Sequence, residues 1–152
     1  MLGYNTRMPA TGSPSLGSAC IVLRLVLGAI MIPHGMQKLF GAFGGPGLGG
    51  TASFFAGIGL VPGPFWAWVA GLVEFAGGIC LVLGLLTRFV AFLLAVQMAT
   101  AVLKVHAPRF FVSDGGMEFA LALAAMAVAV LLLGGGPLAV DRLLGIERRR
   151  DA

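Results

Sequence analysis

The chain has 152 residues, 59% of them hydrophobic and 11% charged, with a formal net charge of +4. Its mean hydropathy of +0.99 leaves too little polar surface for a water-soluble domain of this length, so the composition points to an integral membrane protein. The apolar runs are continuous rather than alternating, which excludes a membrane β-barrel. The basic run IERRRDA is too short, with no basic fold behind it, to make a nucleic-acid-binding domain.

Residues 1–17 are polar and rich in Gly, Pro and Ser, and they read as a flexible tail. The apolar run that follows is long, contains Arg24 and has no clear small-residue cleavage site, unlike a removable signal peptide. A first span is expected at Ser18–Gln37. Along it Arg24, Gly28, Met31, Gly35 and Lys38 recur at helical spacing and form one stripe, with His34 beside it.

The connection Leu39–Pro64 is long, and Gly44, Gly45, Pro46, Gly47, Gly49 and Gly50 oppose regular structure in its first half. Thr51–Ile58 (TASFFAGI) predicts a short interfacial helix capped by Thr51, with Phe54 and Phe55 at the lipid boundary. A loop of this length either tethers two spans or covers a functional end of them.

The second span, Phe65–Leu86, opens with Trp66 and Trp68 as an aromatic belt. Its single charge is Glu74, and a carboxylate at the centre of a membrane helix costs about 2.5–3.5 kcal/mol on insertion scales. Ala67, Ala70, Gly71, Gly77 and Gly78 share the face of Glu74. Small residues let another helix approach closely in lipid, so Glu74 is expected to face protein.

The third span, Phe89–Val105, is the shortest expected and groups Gln97, Thr100, Ala101 and Lys104. The fourth, Met117–Gly134, carries a stripe of Glu118, Ala122, Ala125 and Ala129. Cys20 and Cys80 lie inside spans, form no CxxC and read as small apolar residues.

Backbone groups in lipid must be satisfied within each segment. The expected fold is therefore an all-α membrane protein, a four-transmembrane-helix up-down bundle over residues 18–140. A short interfacial helix lies in its first outer loop, and residues 141–152 form a basic tail. Arg7, Arg88, Arg142, Arg148, Arg149 and Arg150 fall on one side, against Lys38, Lys104 and Arg109 on the other. That bias puts both termini in the cytoplasm and aims the basic end at anionic lipid.

Side chains lean toward the N-terminus of their own helix, so His34 leans inward and Glu74 outward. At about 1.5 Å per residue, His34 lies about 6 Å and Glu74 about 13 Å below the outer end. His34 is thus the expected partner of Glu74. Arg24 leans away and is expected to serve as a separate inner anchor or to snorkel. Lys38, Lys104 and Glu118 fall near the outer mouth as substrate-binding groups. His34 and Glu74 are the candidate catalytic pair, with a proton relay as their chemistry. The two histidines are not spaced as a metal pair, and no GxGxxG follows a strand. No intrinsic cofactor is expected, which leaves a lipid-soluble quinone as the carrier of any redox chemistry.

Four motifs carry a family resemblance: HGMQKLFG (His34–Gly41), GLVEFAGG (Gly71–Gly78), LGLLTR (Leu83–Arg88) and GGMEFAL (Gly115–Leu121). In this order, over roughly residues 23–134, they resemble the DoxX family of small bacterial membrane proteins. The resemblance implies a four-helix bundle in the inner membrane and a redox-linked role beside other subunits. Relatives include a subunit of a thiosulfate:quinone oxidoreductase and a membrane subunit that assembles with soluble oxidant-detoxifying enzymes. Two other readings stay open. One is a non-catalytic assembly subunit or homo-oligomer whose buried charges hold the bundle; the other is a carrier of a small metabolite or protons.

Overall fold

The computed structural model describes residues 14–146, and every regular element among them is helical. Residues 1–13 and 147–152, which hold most of the expected flexible tail and Arg148, Arg149 and Arg150, lie outside the described residues. The α-helices are α1 (Pro14–Phe40), α2 (Gly47–Gly57), α3 (Gly63–Leu83), α4 (Thr87–Ala101), α5 (Glu118–Leu133) and α6 (Val140–Leu143). A π-helical turn, Val102–His106, continues α4.

Three helical segments are long and apolar enough to cross a membrane: Leu16–Phe40, Gly63–Leu83 and Thr87–His106. Glu118–Leu133 is apolar but shorter. The shortest of the four expected spans is therefore the last rather than the third. Gly134, at φ +86°, ends α5 after 16 residues, which rise only about 24 Å against a hydrocarbon core of about 30 Å.

The most extensive packing is α1 against α3, followed by α4 against α5. The first of these follows from small residues. A Cβ on Gly28 would meet the carbonyl oxygen of Gly78, and a Cβ on Gly35 would strike the backbone of Phe75. Backbones this close gain dispersion contacts where no hydrophobic drive exists between helices in lipid. The expected stripe of α3 is buried throughout, at Ala67, Ala70, Gly71, Glu74, Gly77 and Gly78. Leu27, Met31, Leu81, Leu94 and Val130 fill the centre.

The stripe expected on the last span is rotated. Ala122 and Ala125 are exposed, and α5 buries Ala120, Leu123, Ala127 and Val130 instead. Alanine occurs on every side of this helix, so small-residue spacing does not choose a face. The larger Leu123 and Val130, in one core with Val90, Leu94 and Met98 of α4, do.

Two connections also differ from expectation. α2 begins at Gly47, four residues before Thr51, so Thr51 lies inside the helix and is no cap. Its hydroxyl donates to the Gly47 carbonyl at 2.8 Å, with the Lys38 carbonyl at 3.4 Å. That contact ties α2 to the end of α1. At the opposite end, residues 138–141 fold back onto the helices. Arg24, only 3% exposed, donates from Nη2 to the Leu138 carbonyl at 3.0 Å. It is buried among protein and does not snorkel.

Asp141, expected to open the basic tail, is also buried. Its carboxylate accepts the Leu86 and Thr87 N–H groups at 2.6 and 2.7 Å. These are first-turn donors that an α-helix cannot satisfy itself. Leu86 sits at φ +48°, and its N–H and that of Thr87 end on the two oxygens of one carboxylate.

Candidate functional site

Glu74 is 2% exposed and both of its oxygens are engaged. Oε2 pairs with Lys38 Nζ at 2.6 Å, and Oε1 accepts from Gln97 Nε2, also at 2.6 Å. The same Gln97 nitrogen lies 3.5 Å from the Ala70 carbonyl. One carboxylate thus joins α1, α3 and α4. Short charge-assisted hydrogen bonds of this kind offset the desolvation of a buried ion when they satisfy its lone pairs.

The expectation that His34 is the partner of Glu74 is corrected by this geometry. Height along the helix favours His34, whereas rotation around it favours Lys38. Gly35 is the residue that touches α3, and His34 precedes it by one position, about 100° around the helix. Lys38 belongs to the α3-facing stripe, and its long side chain leans back along α1 to reach Glu74. His34 instead packs near Phe119, with ring centroids 6.3 Å apart and planes tilted by 44°. No hydrogen-bond partner of its ring is found among the described residues.

These groups meet at a cavity of about 670 Å³ walled by α1, α2, α3, α4 and α5. Its polar lining includes His34, Lys38, Glu74 and Gln97, while Phe54, Phe55, Val73, Phe92, Val96 and Leu123 supply apolar surface. Thr100 also faces it, with its hydroxyl given to the Val96 carbonyl at 2.9 Å. His106 lines it too, and its Nδ1 lies 2.8 Å from the Gly115 carbonyl.

The other expected site residues lie elsewhere. Lys104 is exposed and does not line the cavity. Glu118 is also off the wall; its Oε1 accepts the Val112 N–H at 2.6 Å and closes the loop ahead of α5. Arg24 lies at the far end, beside Leu138. Among the described residues, no three His, Cys, Asp or Glu side chains converge to hold a metal ion.

Gln97, grouped by its spacing with Thr100, Ala101 and Lys104, is a partner of Glu74 that the sequence reading does not single out. An uncharged amide in an apolar span was the available signal. Asp141 had none, since it is followed at once by Arg142 in a segment that reads as a tail.

Chemically, the cavity offers an apolar body site ending on a few polar atoms. Lys38 has two N–H donors beyond the one aimed at Glu74, Gln97 has its amide oxygen, and His34 has its ring nitrogens. A pocket of this type orients a largely apolar ligand by its polar end.

The DoxX family model matches residues 19–107. The chain is 32% identical over 121 residues to "Putative oxidoreductase CatD" of Bacillus subtilis, covering 80% of this chain and 83% of that protein. It is 35% identical over 123 residues to a Haemophilus influenzae protein described only as uncharacterized, covering 78% and 85% of the two chains. It is 33% identical over 130 residues to "Uncharacterized membrane protein Rv3486" of Mycobacterium tuberculosis, covering 82% and 73%. No solved structure matches it. The matched region contains the glycine interlock of α1 with α3 and all three members of the Glu74 network, and on this match the chain belongs to the DoxX family.

Proposed function

We propose that this protein is a multi-pass inner-membrane subunit of a redox-linked complex, and that its cavity holds the ring of a quinone over Lys38, Glu74 and Gln97. The observation that carries the reading is an apolar cavity of about 670 Å³ with a compact polar group at one side. A quinone has a matching division, an apolar ring and tail with two carbonyl oxygens that accept hydrogen bonds. Lys38 donates to one such oxygen. His34, on the same wall, donates or accepts according to its tautomer. Quinone reduction takes up two electrons and two protons. In this reading the electrons come from a partner subunit, and His34 and Glu74 pass the protons. The oxidoreductase name carried by the Bacillus subtilis relative is in keeping with this assignment.

In this reading α5 completes a four-helix up-down bundle, α2 lies at the outer interface, and both termini are cytoplasmic. The test is to purify the protein in mild detergent, extract it and identify what is bound. Quinone near one per chain, lost in Lys38→Met and reduced in His34→Leu, is the expected result. His34→Leu leaves the Glu74 network untouched and so serves as the folded variant.

A second reading has its own support. Both Glu74 oxygens already have protein partners, as in a purely structural tie between helices. A quinone-free preparation that brings down another protein in fixed ratio favours that assembly role and overturns the quinone site.

A further inference from the structure

We infer that the cavity is entered sideways from the hydrocarbon layer, through an apolar slot between α3 and α4. Its ligand is then a membrane-dissolved molecule with a hydrogen-bond-accepting head, not a water-soluble anion. This rests on the quinone reading above and narrows it to a route and a ligand class.

Three observations lead there. α3 and α4 are consecutive and joined by the tight turn at Gly84–Leu86, yet they pack only lightly on each other, as α1 does on α5 at the opposite wall. α1 on α3 and α4 on α5 are far more closely packed. Next, the residues that line the cavity and are also exposed include two groups: Trp66 of α3 at 38% with Phe92 and Val96 of α4 at 52% and 51%, and, at the loop end, Phe54 and Val112. A side chain that is part of the cavity wall and part of the outer surface marks a rim. Phe92 and Val96 lie about 8 and 14 Å along α4 from Thr87. At that depth a spanning helix meets acyl chains and not water.

The third observation is charge. Lys38 is paired with Glu74, so the network carries no surplus positive charge to hold an oxyanion. Lys104, the other lysine of this end, is off the wall. The approach from the loop side is lined by Phe54, Phe55, Ile58 and Val112, with His106 as its one ionisable side chain, and this largely apolar surface discourages a hydrated ion. Phe119 is a further exposed wall residue, but it stands in the first turn of α5, near the helix end and not at mid-span, with His34 packed beside it.

The chain has two tryptophans, so Trp68→Phe leaves Trp66 as a reporter on the slot. The experiment places this variant in liposomes and follows quenching of Trp66 by decylubiquinone in stopped flow. Saturable quenching is expected, with half-saturation set by the mole fraction of probe in the lipid rather than by its aqueous concentration. Adding Val73→Phe and Val96→Phe narrows the slot and should slow the onset about tenfold, because restricted access acts on the association rate. Val96→Ala, which widens the slot, should speed it. Lys38→Met should abolish the saturable component.

Unchanged onset in both Val96 variants, with quenching still saturable, overturns the slot and leaves the quinone reading standing. Slowing by Ile58→Phe in place of the Val96 changes does the same and moves the entrance to α2. Absence of saturable quenching overturns both. Competition by thiosulfate at similar concentration overturns the neutral ligand class.

Discussion

The two ends of the helical assembly treat their polar groups differently. At the α3–α4 turn, Arg24, Arg88 and Asp141 each serve the backbone: Leu138 and Leu131 carbonyls are bonded by the arginines, and the first N–H groups of α4 by the aspartate. At the other end Lys38, Glu74 and Gln97 bond one another beside a cavity. The first arrangement answers a requirement of any helix end, where unpaired backbone groups need partners in a medium without water. The second satisfies a buried charge and leaves donor capacity facing a void. Charge in a membrane span is not itself a sign of a ligand site; what matters is whether the polar atoms finish on the chain or on empty space.

Breaking the network should have the largest effect. Lys38→Met leaves Glu74 buried without its cation and should destabilise the protein by about 3–5 kcal/mol, read from unfolding in mixed detergent. The double variant Lys38→Met with Glu74→Leu should recover most of that loss while still failing to bind quinone. Recovery of stability and ligand together would show that the two do not share residues.

At the closed end, Asp141→Ala strands two N–H groups and should cost about 2–3 kcal/mol. Asp141→Asn, which keeps one acceptor, should restore part of it. Quinone content should be unchanged in whatever fraction folds. If Asp141→Ala empties the cavity in folded protein, the two ends are coupled and the contrast fails.

Gly35→Ala probes the interface that both ends share. Its Cβ meets the backbone of Phe75, which cannot rotate away, so a loss of about 1–3 kcal/mol is expected. The smallest effect is expected at Lys104, exposed and off the cavity wall. Lys104→Ala should change stability by less than about 0.5 kcal/mol and leave quinone affinity alone. A clear loss of affinity would return this lysine to the site.

Much of the α1–α3 half was legible in advance because its signal is steric and local. Gly28, Gly35, Gly71, Gly77 and Gly78 recur at helical spacing, and small residues have one strong use in a lipid-facing helix. The same logic failed on α5, where alanines surround the helix and the bulk of Leu123 and Val130 decided its rotation. A different rule, helix capping after a glycine-rich stretch, fails for Thr51. The glycines before it read as loop, yet Gly49 and Gly50 are helical, and α2 is held by the Thr51 hydroxyl against Lys38 and Gly47.

By itself the amino-acid order determined that this chain belongs in a membrane, that its regular structure is helical, and that Glu74 lies on a packed face. Those properties follow from hydropathy and from a period of 3.6 residues, which any single helix displays. Tertiary structure alone decided that Lys38 and Gln97, not His34, meet Glu74, that Asp141 returns to cap α4, and that a cavity remains between helices. Each of these depends on the rotation and separation of helices far apart in the chain. Differences of one residue turn a side chain by about 100°, more than spacing along one helix can resolve.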